Sequence, residues 1–479
     1  MSHPDQTYLP LLADSIVNGH YKADRTGVGS FSVFGRMAHF DLNGYKLPLL
    51  TTKKVFVRSL IHEMIWFISG DTNIRYLISN GVTIWNSWFI KGTDEYMPLS
   101  QTEMYGQLLR FFKVGKLDIQ LVLPDQLNGQ PYQFIPNEQG PAGGTLQLNI
   151  KHFPRDTEQF VRSAPHLKIA YHKVFNKEPL VMAAADIGAG GYGSQWRRWE
   201  DTRIVKTDEV EKFIERGYEK VFSIPKNSKW VKDKLGLGGG VVMHREIDQL
   251  ANAIKMLSTS PEEHRSQNWN SRRIIVTAWN PGKIEDAALP PCHLYYQFFS
   301  RPMTLLELME RNNLGVNISS WVRGYMVGVQ GDDVEVIHAG TPAEQRFRKG
   351  ARDALAKLHS EAGLPVRKLK LLFLMRSNDL PIGAPFNIAQ YGLLAHMVAQ
   401  VTNHVAEELI YVGADAHIYA DQVELAKTQC ARAPLLDVNP TVTLNPAVKN
   451  IDDFTFSDIT INGYEDGDYY PHIPYPVAV

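Results

Sequence analysis

The apolar patterning of this 479-residue chain comes in bursts. Four blocks, at 24–92, 186–200, 246–299 and 369–479, are dense in strand-like or helix-like periodicity. Three looser stretches separate them, at about 93–185, 201–245 and 300–368. Segments that cannot bury an apolar face alone have to meet in one core, so the layout predicts a single domain over 1–479 carrying three insertions. Hydrophobic residues make up 44% of the chain and charged ones 21%, which supplies a sizeable core without disulfides or a metal.

Within the first block, "GSFSVFGRMAHFDL" alternates as a half-buried strand does, and "VRSLIHEMIWFISG" has helical spacing ending at Gly70, a C-cap candidate. "NIRYLISNGVTIWNSWF" continues as a short helix, a turn and an aromatic segment. In the first loose stretch "LDIQLVLPDQLNGQPYQF" and "GTLQLNIKHF" read as strands joined by turns. The second is rich in Lys and Glu and closes with "GLGGG"; the third predicts a hairpin over "SSWVRGYMVGVQGDDVEVIHAG" and an amphipathic helix over "AEQRFRKGARDALAKLHSEAG". In the last block "APFNIAQYGLLAHMVAQVTNH" predicts an amphipathic helix of about five turns, starting after a proline with Asn387 in its first turn.

Lys plus Arg number 50 against 51 for Asp plus Glu, so no overall pull toward nucleic acid or an anionic membrane follows, and any anion must be gripped by local arginines. No basic and aromatic alternation marks a dedicated nucleic-acid surface. Two cysteines, Cys292 and Cys430, make no disulfide framework and no zinc spacing. The first residues lack a signal-peptide pattern, and no apolar run reaches the roughly 18 residues that span a bilayer. The expectation is a soluble protein of a reducing compartment, the cytoplasm.

The thiol of "ALPPCHLYYQFF" stands in what otherwise reads as a buried strand. Cys292 is either a small buried hydrophobe or a nucleophile, and the second requires cations nearby to favour the thiolate. Arginines occur in compact polar motifs: Arg25 in "DRTGVG", Arg272 and Arg273 in "SRRIIVTAWNP", Arg376 in "MRSND". Arg376 ends an apolar strand and is followed by Ser377, Asn378 and Asp379, a grouping suited to phosphate. Gly188, Gly190 and Gly193 satisfy G-x-G-x-x-G, but "SQWRRWE" is a poor opening for a glycine-packed helix and no acid-ended strand follows at the right distance. Glu63, mid-helix among large apolar residues, is either exposed or a buried acid. His417 and Tyr419 alternate on one strand face, and Asn387 is a helix cap or an amide able to read a uracil edge.

Taken in order, "DRTGVGSFSVFG", "LLTTKK", "IHEMIWFISGDTNIRYL", "IWNSW", "GGYGSQWRRWE", "SRRIIVTAWNP", "LPPCHLYYQFF", "RSND…GAPFNIAQY…HMVAQ", "GADAHIY" and the terminal "PHIPYPVAV" resemble the thymidylate synthase family over somewhat more than half the chain. The resemblance implies an α+β fold with a large mixed sheet packed by helices, the loose stretches being insertions. It implies a homodimer that acts on dUMP with 5,10-methylenetetrahydrofolate as co-substrate and no metal, making dTMP. Cys292 would add to carbon 6 of the pyrimidine; Arg376 would bind phosphate and favour the thiolate. Arg25 and Ser377 would complete the phosphate site, with Arg272 and Arg273 supplied by the partner subunit, while Asn378 and Asp379 would stand at the nucleotide, Asp379 also serving catalysis. Asn387 would read the uracil edge, and His417 with Tyr419 would hold the deoxyribose hydroxyl. Glu63 would organise water and proton transfer, and Tyr192 would assist proton removal from carbon 5. Trp85, Trp88, Asp379, Gly383 and Phe386 would line the folate site, and the tail ending in Ala478 and Val479 would close over both ligands.

A neighbouring branch, the phage pyrimidine hydroxymethylases, shares nucleophile and donor but lets water capture the methylene intermediate, giving 5-hydroxymethyl-dUMP. Asn378 where synthases usually have cysteine, "IWNSW" without an acidic pair, and Phe56 in place of a folate-contacting histidine lean that way, while the complete "PVAV" leans toward the synthase. Asn387 argues against the cytosine-specific members. The insertions point to a viral or otherwise divergent source. A third reading, a non-catalytic nucleotide- or RNA-binding scaffold, is opposed by the presence of Cys292, Glu63, Tyr192 and Asn387 together.

Overall fold

The computed structural model describes residues 3–24, 26–99, 104, 107–108, 117–128, 130, 132–136, 144–149, 164–175, 180–225, 239–259, 271–311 and 342–477. The chain divides into two compact units, one of 1–72 with 188–479 and one of 73–187.

In the first unit a six-stranded sheet runs in the order His20–Lys22, Ser30–Asp41, Val405–Tyr419, Arg367–Asp379, His293–Pro302, Ile275–Thr277. The two central strands, 367–379 and 405–419, are parallel and every other pairing is antiparallel, so the sheet is mixed. Parallel neighbours need a crossover connection, and the helix Gly383–Val401 provides it. That helix is not amphipathic, as its sequence had suggested. Fifteen of its 19 residues are buried, polar Asn387, Gln390 and His396 among them. It packs on both central strands on one side and on the helix Val57–Ser69 on another, so no stripe is left for water. It also starts two residues before Pro385, at a position where the missing N–H costs nothing, which moves Asn387 out of the first turn.

The 57–69 helix ends as expected, at Gly70 with φ 72°, whose N–H donates to the Phe67 carbonyl. The glycine-rich run 188–193 opens only a six-residue helix, Tyr192–Arg197. A Cβ on Gly190 would lie 2.2 Å from the Lys283 carbonyl oxygen, and one on Gly193 2.7 Å from that of Phe67. Those glycines permit close backbone approach, and nothing dinucleotide-like is built. Residues 199–247 form a three-stranded antiparallel sheet, Trp199–Val205, Gly240–Ile247 and Glu219–Ile224, on a small core of Val205, Tyr218, Val241 and Met243. The helix predicted after residue 340 spans Pro342–Glu361 and packs Leu355 with Met303, Leu308 and Val405. The hairpin expected at 319–340 lies outside the described residues.

In the second unit Gly144–Asn149 lies between Leu117–Val122, parallel to it, and Tyr132–Pro136, antiparallel. Tyr171 and Val174 of the helix Ala164–Phe175 join Leu117 and Leu146 in its core. Trp85 and Trp88 belong to this unit; Trp85 is buried, and the Trp88 N–H donates to the Trp85 carbonyl at 2.9 Å. Among the described residues no helix is long and apolar enough to cross a membrane.

Candidate active site

The carboxyl ends of the two parallel strands meet the start of the 293–302 strand at one edge of the sheet. Register pairs Asp379 with His417 and Asn378 with Ala416, while His293 pairs with Met375. The amino end of strand 30–41 reaches the same edge, pairing Ser32 with His417 and Ser30 with Tyr419. Ligands of open α/β sheets gather at such carboxyl ends, because loops there diverge.

Cys292 stands one residue before its strand begins, half-buried, next to a register shift between His293 and Tyr295. Irregularities of this kind turn a side chain away from the pleat. Its main chain is held at both ends: the Cys292 N–H donates to the Tyr192 hydroxyl oxygen at 2.9 Å, and the Arg376 N–H donates to the Cys292 carbonyl at 2.9 Å. Arg376 Nη2 lies 3.9 Å from Cys292 Sγ. The same guanidinium donates from Nε to the Pro291 carbonyl and from Nη2 to that of Pro290, both at 2.8 Å, and its carbon lies 5.3 Å from the ring centre of Trp279. The two prolines before the cysteine thus anchor the cation that faces its sulfur, a role their sequence position did not announce.

A chain of buried polar groups starts from His293, the residue after Cys292. Asn378 Nδ2 donates to Asn387 Oδ1 at 2.9 Å, Asn387 Nδ2 lies 3.1 Å from His293 Nε2, and His293 Nδ1 lies 3.0 Å from the Tyr391 hydroxyl. Burial pushes His293 down to about 3, so the ring is neutral and carries one proton. An amide nitrogen only donates, so Nε2 accepts and the proton sits on Nδ1, donated to Tyr391. The local sequence signal for His293 is its adjacency to Cys292 alone.

Glu63 is buried and accepts a hydrogen bond from Gln390 Nε2 at 2.7 Å, which settles its environment in favour of the interior. Burial holds the Tyr192 hydroxyl well above its ordinary value, so it is protonated. Asp379 accepts from the Ile382 N–H and from Gln422 Nε2, at 2.9 and 3.0 Å; burial nonetheless pushes its carboxyl up. Lys53, buried and pushed down to about 8, is among the charges facing it. Gln422 also donates to the Pro476 carbonyl at 2.9 Å, tying the end of the described chain to Asp379. His417 and Tyr419 lie on one strand face with ring centres 5.2 Å apart, and His417, helped by Lys22, holds Asp415 well below the carboxylate range.

Ser377, Gly383 and Phe386 belong to the same strand end and helix start. Arg272 and Arg273 do not join this group within the chain. They form a short exposed turn, and the Arg272 carbonyl accepts from Gln297, five residues along the strand from Cys292 and so on the order of 15 Å away. Exposed Phe56 meets His472 with ring centres 5.1 Å apart. Arg25, Ala478 and Val479 lie outside the described residues.

A thiol faced by a guanidinium at 3.9 Å, with a buried amide network on the following residue, is an arrangement able to support covalent nucleophilic chemistry. A sequence profile described as Thymidylate synthase matches residues 6–318 and 349–479. The chain belongs to the thymidylate synthase family, whose members are transferases that bind dUMP and use methylenetetrahydrofolate. A protein named thymidylate synthase from Mycoplasma mobile is 29% identical over 475 residues, covering 99% of this chain and 100% of that relative.

Proposed function

We propose that this chain carries out reductive methylation of dUMP to dTMP with 5,10-methylenetetrahydrofolate, through a covalent bond from Cys292 to carbon 6. The observation that carries this reading is the 3.9 Å approach of the Arg376 guanidinium to the Cys292 sulfur, at the end of the sheet where Asn387 meets Asn378 and His293. Addition of the thiolate pushes electrons toward the carbonyl at carbon 4 and makes carbon 5 nucleophilic. Carbon 5 attacks the one-carbon unit, then loses its proton with Tyr192 assisting. Release of the folate amine leaves an exocyclic methylene; hydride from the folate reduces it as the sulfur departs, giving dTMP and dihydrofolate. Glu63, oriented by Gln390, manages the proton balance at the carbonyl.

Asn387 reads the uracil edge, Arg25, Arg376 and Ser377 take the phosphate, and His417 with Tyr419 take the sugar hydroxyl. Asp379, Gly383 and Phe386 line the folate site, and the tail through Ala478 and Val479 closes over it; Gln422 and Pro476 tether that tail. A second subunit supplies Arg272 and Arg273. Met37, Ile275 and Phe299, large apolar side chains exposed on the main sheet, favour such a dimer. The stretches 93–185, 201–245 and 300–368 are insertions into this catalytic domain.

Asn378 in the "MRSND" motif favours one competing outcome, water capturing the methylene to give 5-hydroxymethyl-dUMP. Incubation with 5-fluoro-dUMP and methylenetetrahydrofolate should trap a covalent ternary adduct on Cys292, and its absence would return the chain to the scaffold reading. With dUMP, dihydrofolate absorbance should rise in step with dTMP. A hydroxymethylated nucleotide without dihydrofolate would replace the synthase by the hydroxymethylase.

A further inference from the structure

The buried amide network extends one link beyond Asn387. The Tyr411 hydroxyl donates to Asn378 Oδ1 at 3.1 Å, and Asn378 Nδ2 donates in turn to Asn387 Oδ1. Asn378, Asn387 and His293 are buried, and Tyr391 and Tyr411 at the two ends are fully so. Water is therefore no ready substitute for a lost partner. The start of the 383–401 helix packs onto the middle link: a Cβ on Gly383 would lie 3.3 Å from Asn378 Nδ2 and 3.4 Å from Asn387 Oδ1.

A primary amide has a donor end and an acceptor end, and reversing it exchanges them. The network takes one acceptor site and one donor site of Asn387, leaving one of each. An amide edge in one sense complements uracil, whose ring N–H donates and whose carbon 4 carbonyl accepts. In the reversed sense it complements cytosine, whose ring nitrogen accepts and whose amino group donates. Resting on the reading that Asn387 faces the base, we propose that Asn378 is a specificity-determining positioning residue: its donated hydrogen bond holds the Asn387 amide in the uracil-reading sense. Discrimination between dUMP and dCMP then depends on a residue that need not touch the base.

The sharpest probe is Asn378→Asp, close in shape but, when ionised, able only to accept. It draws Asn387 Nδ2 toward itself and turns the amide over. The ratio of kcat/KM for dUMP to that for dCMP, measured on the full chain with methylenetetrahydrofolate, should fall at least about tenfold, the scale of one mispaired buried hydrogen bond. Tyr411→Phe, which removes only the hydroxyl orienting Asn378, should lower the ratio less, about threefold, and serves if the aspartate variant does not fold. Equal loss of activity on both nucleotides, with the ratio within twofold of the parent, would mark Asn378 as structural and overturn the inference. Asn387→Asp run in parallel separates the two levels. If it leaves the ratio unchanged, the base-reading role of Asn387 falls; if it shifts the ratio while the Asn378 and Tyr411 variants do not, the inference about Asn378 falls alone.

Discussion

Neither Cys292 nor Cys430 is in a disulfide and both are half-buried, yet they stand among different groups. Cys292 precedes a strand and faces the Arg376 guanidinium. Cys430 is the last residue of the helix Val423–Cys430, where the carbonyl end of the helix disfavours an anion. Burial pushes its thiol up, and Tyr8 and Tyr475 lie close enough to feel its charge. Degree of burial does not distinguish the two thiols; the placement of one cation does, and it is the feature on which the proposed role of Cys292 as nucleophile rests.

The largest test of that contrast is turnover. Cys292→Ser should lower kcat by about a thousandfold or more while dUMP still binds, because binding rests on the arginines and Asn387. Cys430→Ser should stay within about twofold in the same assay. Loss of nucleotide binding in step with turnover for Cys292→Ser would break the division between attack and grip.

A second test uses acidity. His293 behind Cys292, with His396 and His404, is pushed by burial well below 6.5, to about 3, 4 and 4 respectively. A histidine depressed in the folded state adds stability that is complete above about 6.5 and is lost as the pH falls toward the folded value, since the unfolded chain binds the proton first. The unfolding free energy from denaturant titration should therefore fall from pH 6.5 to 4, by about 1.4 kcal/mol per pH unit for each such ring. His293→Gln should flatten that slope; an unchanged slope would show that the ring is not buried neutral.

Alkylation rates sharpen the comparison of the thiols themselves. With Arg376→Gln, iodoacetamide at neutral pH should modify Cys292 about tenfold more slowly, with Cys430 unaffected. Equal slowing at both would mean that the variant perturbs the fold. The smallest effect belongs to packing: Cys430→Ala should cost about 1 kcal/mol in chemical denaturation and leave the alkylation rate of Cys292 unchanged.

Much of the site was legible as residue types. A cysteine after two prolines, an arginine at a strand end before Ser-Asn-Asp, and His417 and Tyr419 in alternation are local patterns, and strand geometry translates them directly. The glycine cap of the 57–69 helix and the 342–361 helix were legible for the same reason. The helix 383–401 differs from the amphipathic one its sequence predicts because its polar residues Asn387, Gln390 and His396 are buried. Each has its partner elsewhere in the chain, Gln390 on Glu63 and His396 on the Lys46 carbonyl, more than 300 residues away in sequence.

The sequence by itself determined the chemical inventory and its order: which side chains are able to attack, to pair with anions or to read an amide edge, since these are properties of single residues and short spacings. Tertiary structure alone decided which of them share an edge of the sheet and which way their polar ends face. The buried partner of Glu63, the proline carbonyls that anchor Arg376 and the direction of the Tyr411–Asn378–Asn387–His293 network all depend on distant segments closing into one low-dielectric interior. There every polar group must find a partner, and no short window of sequence contains both members of such a pair.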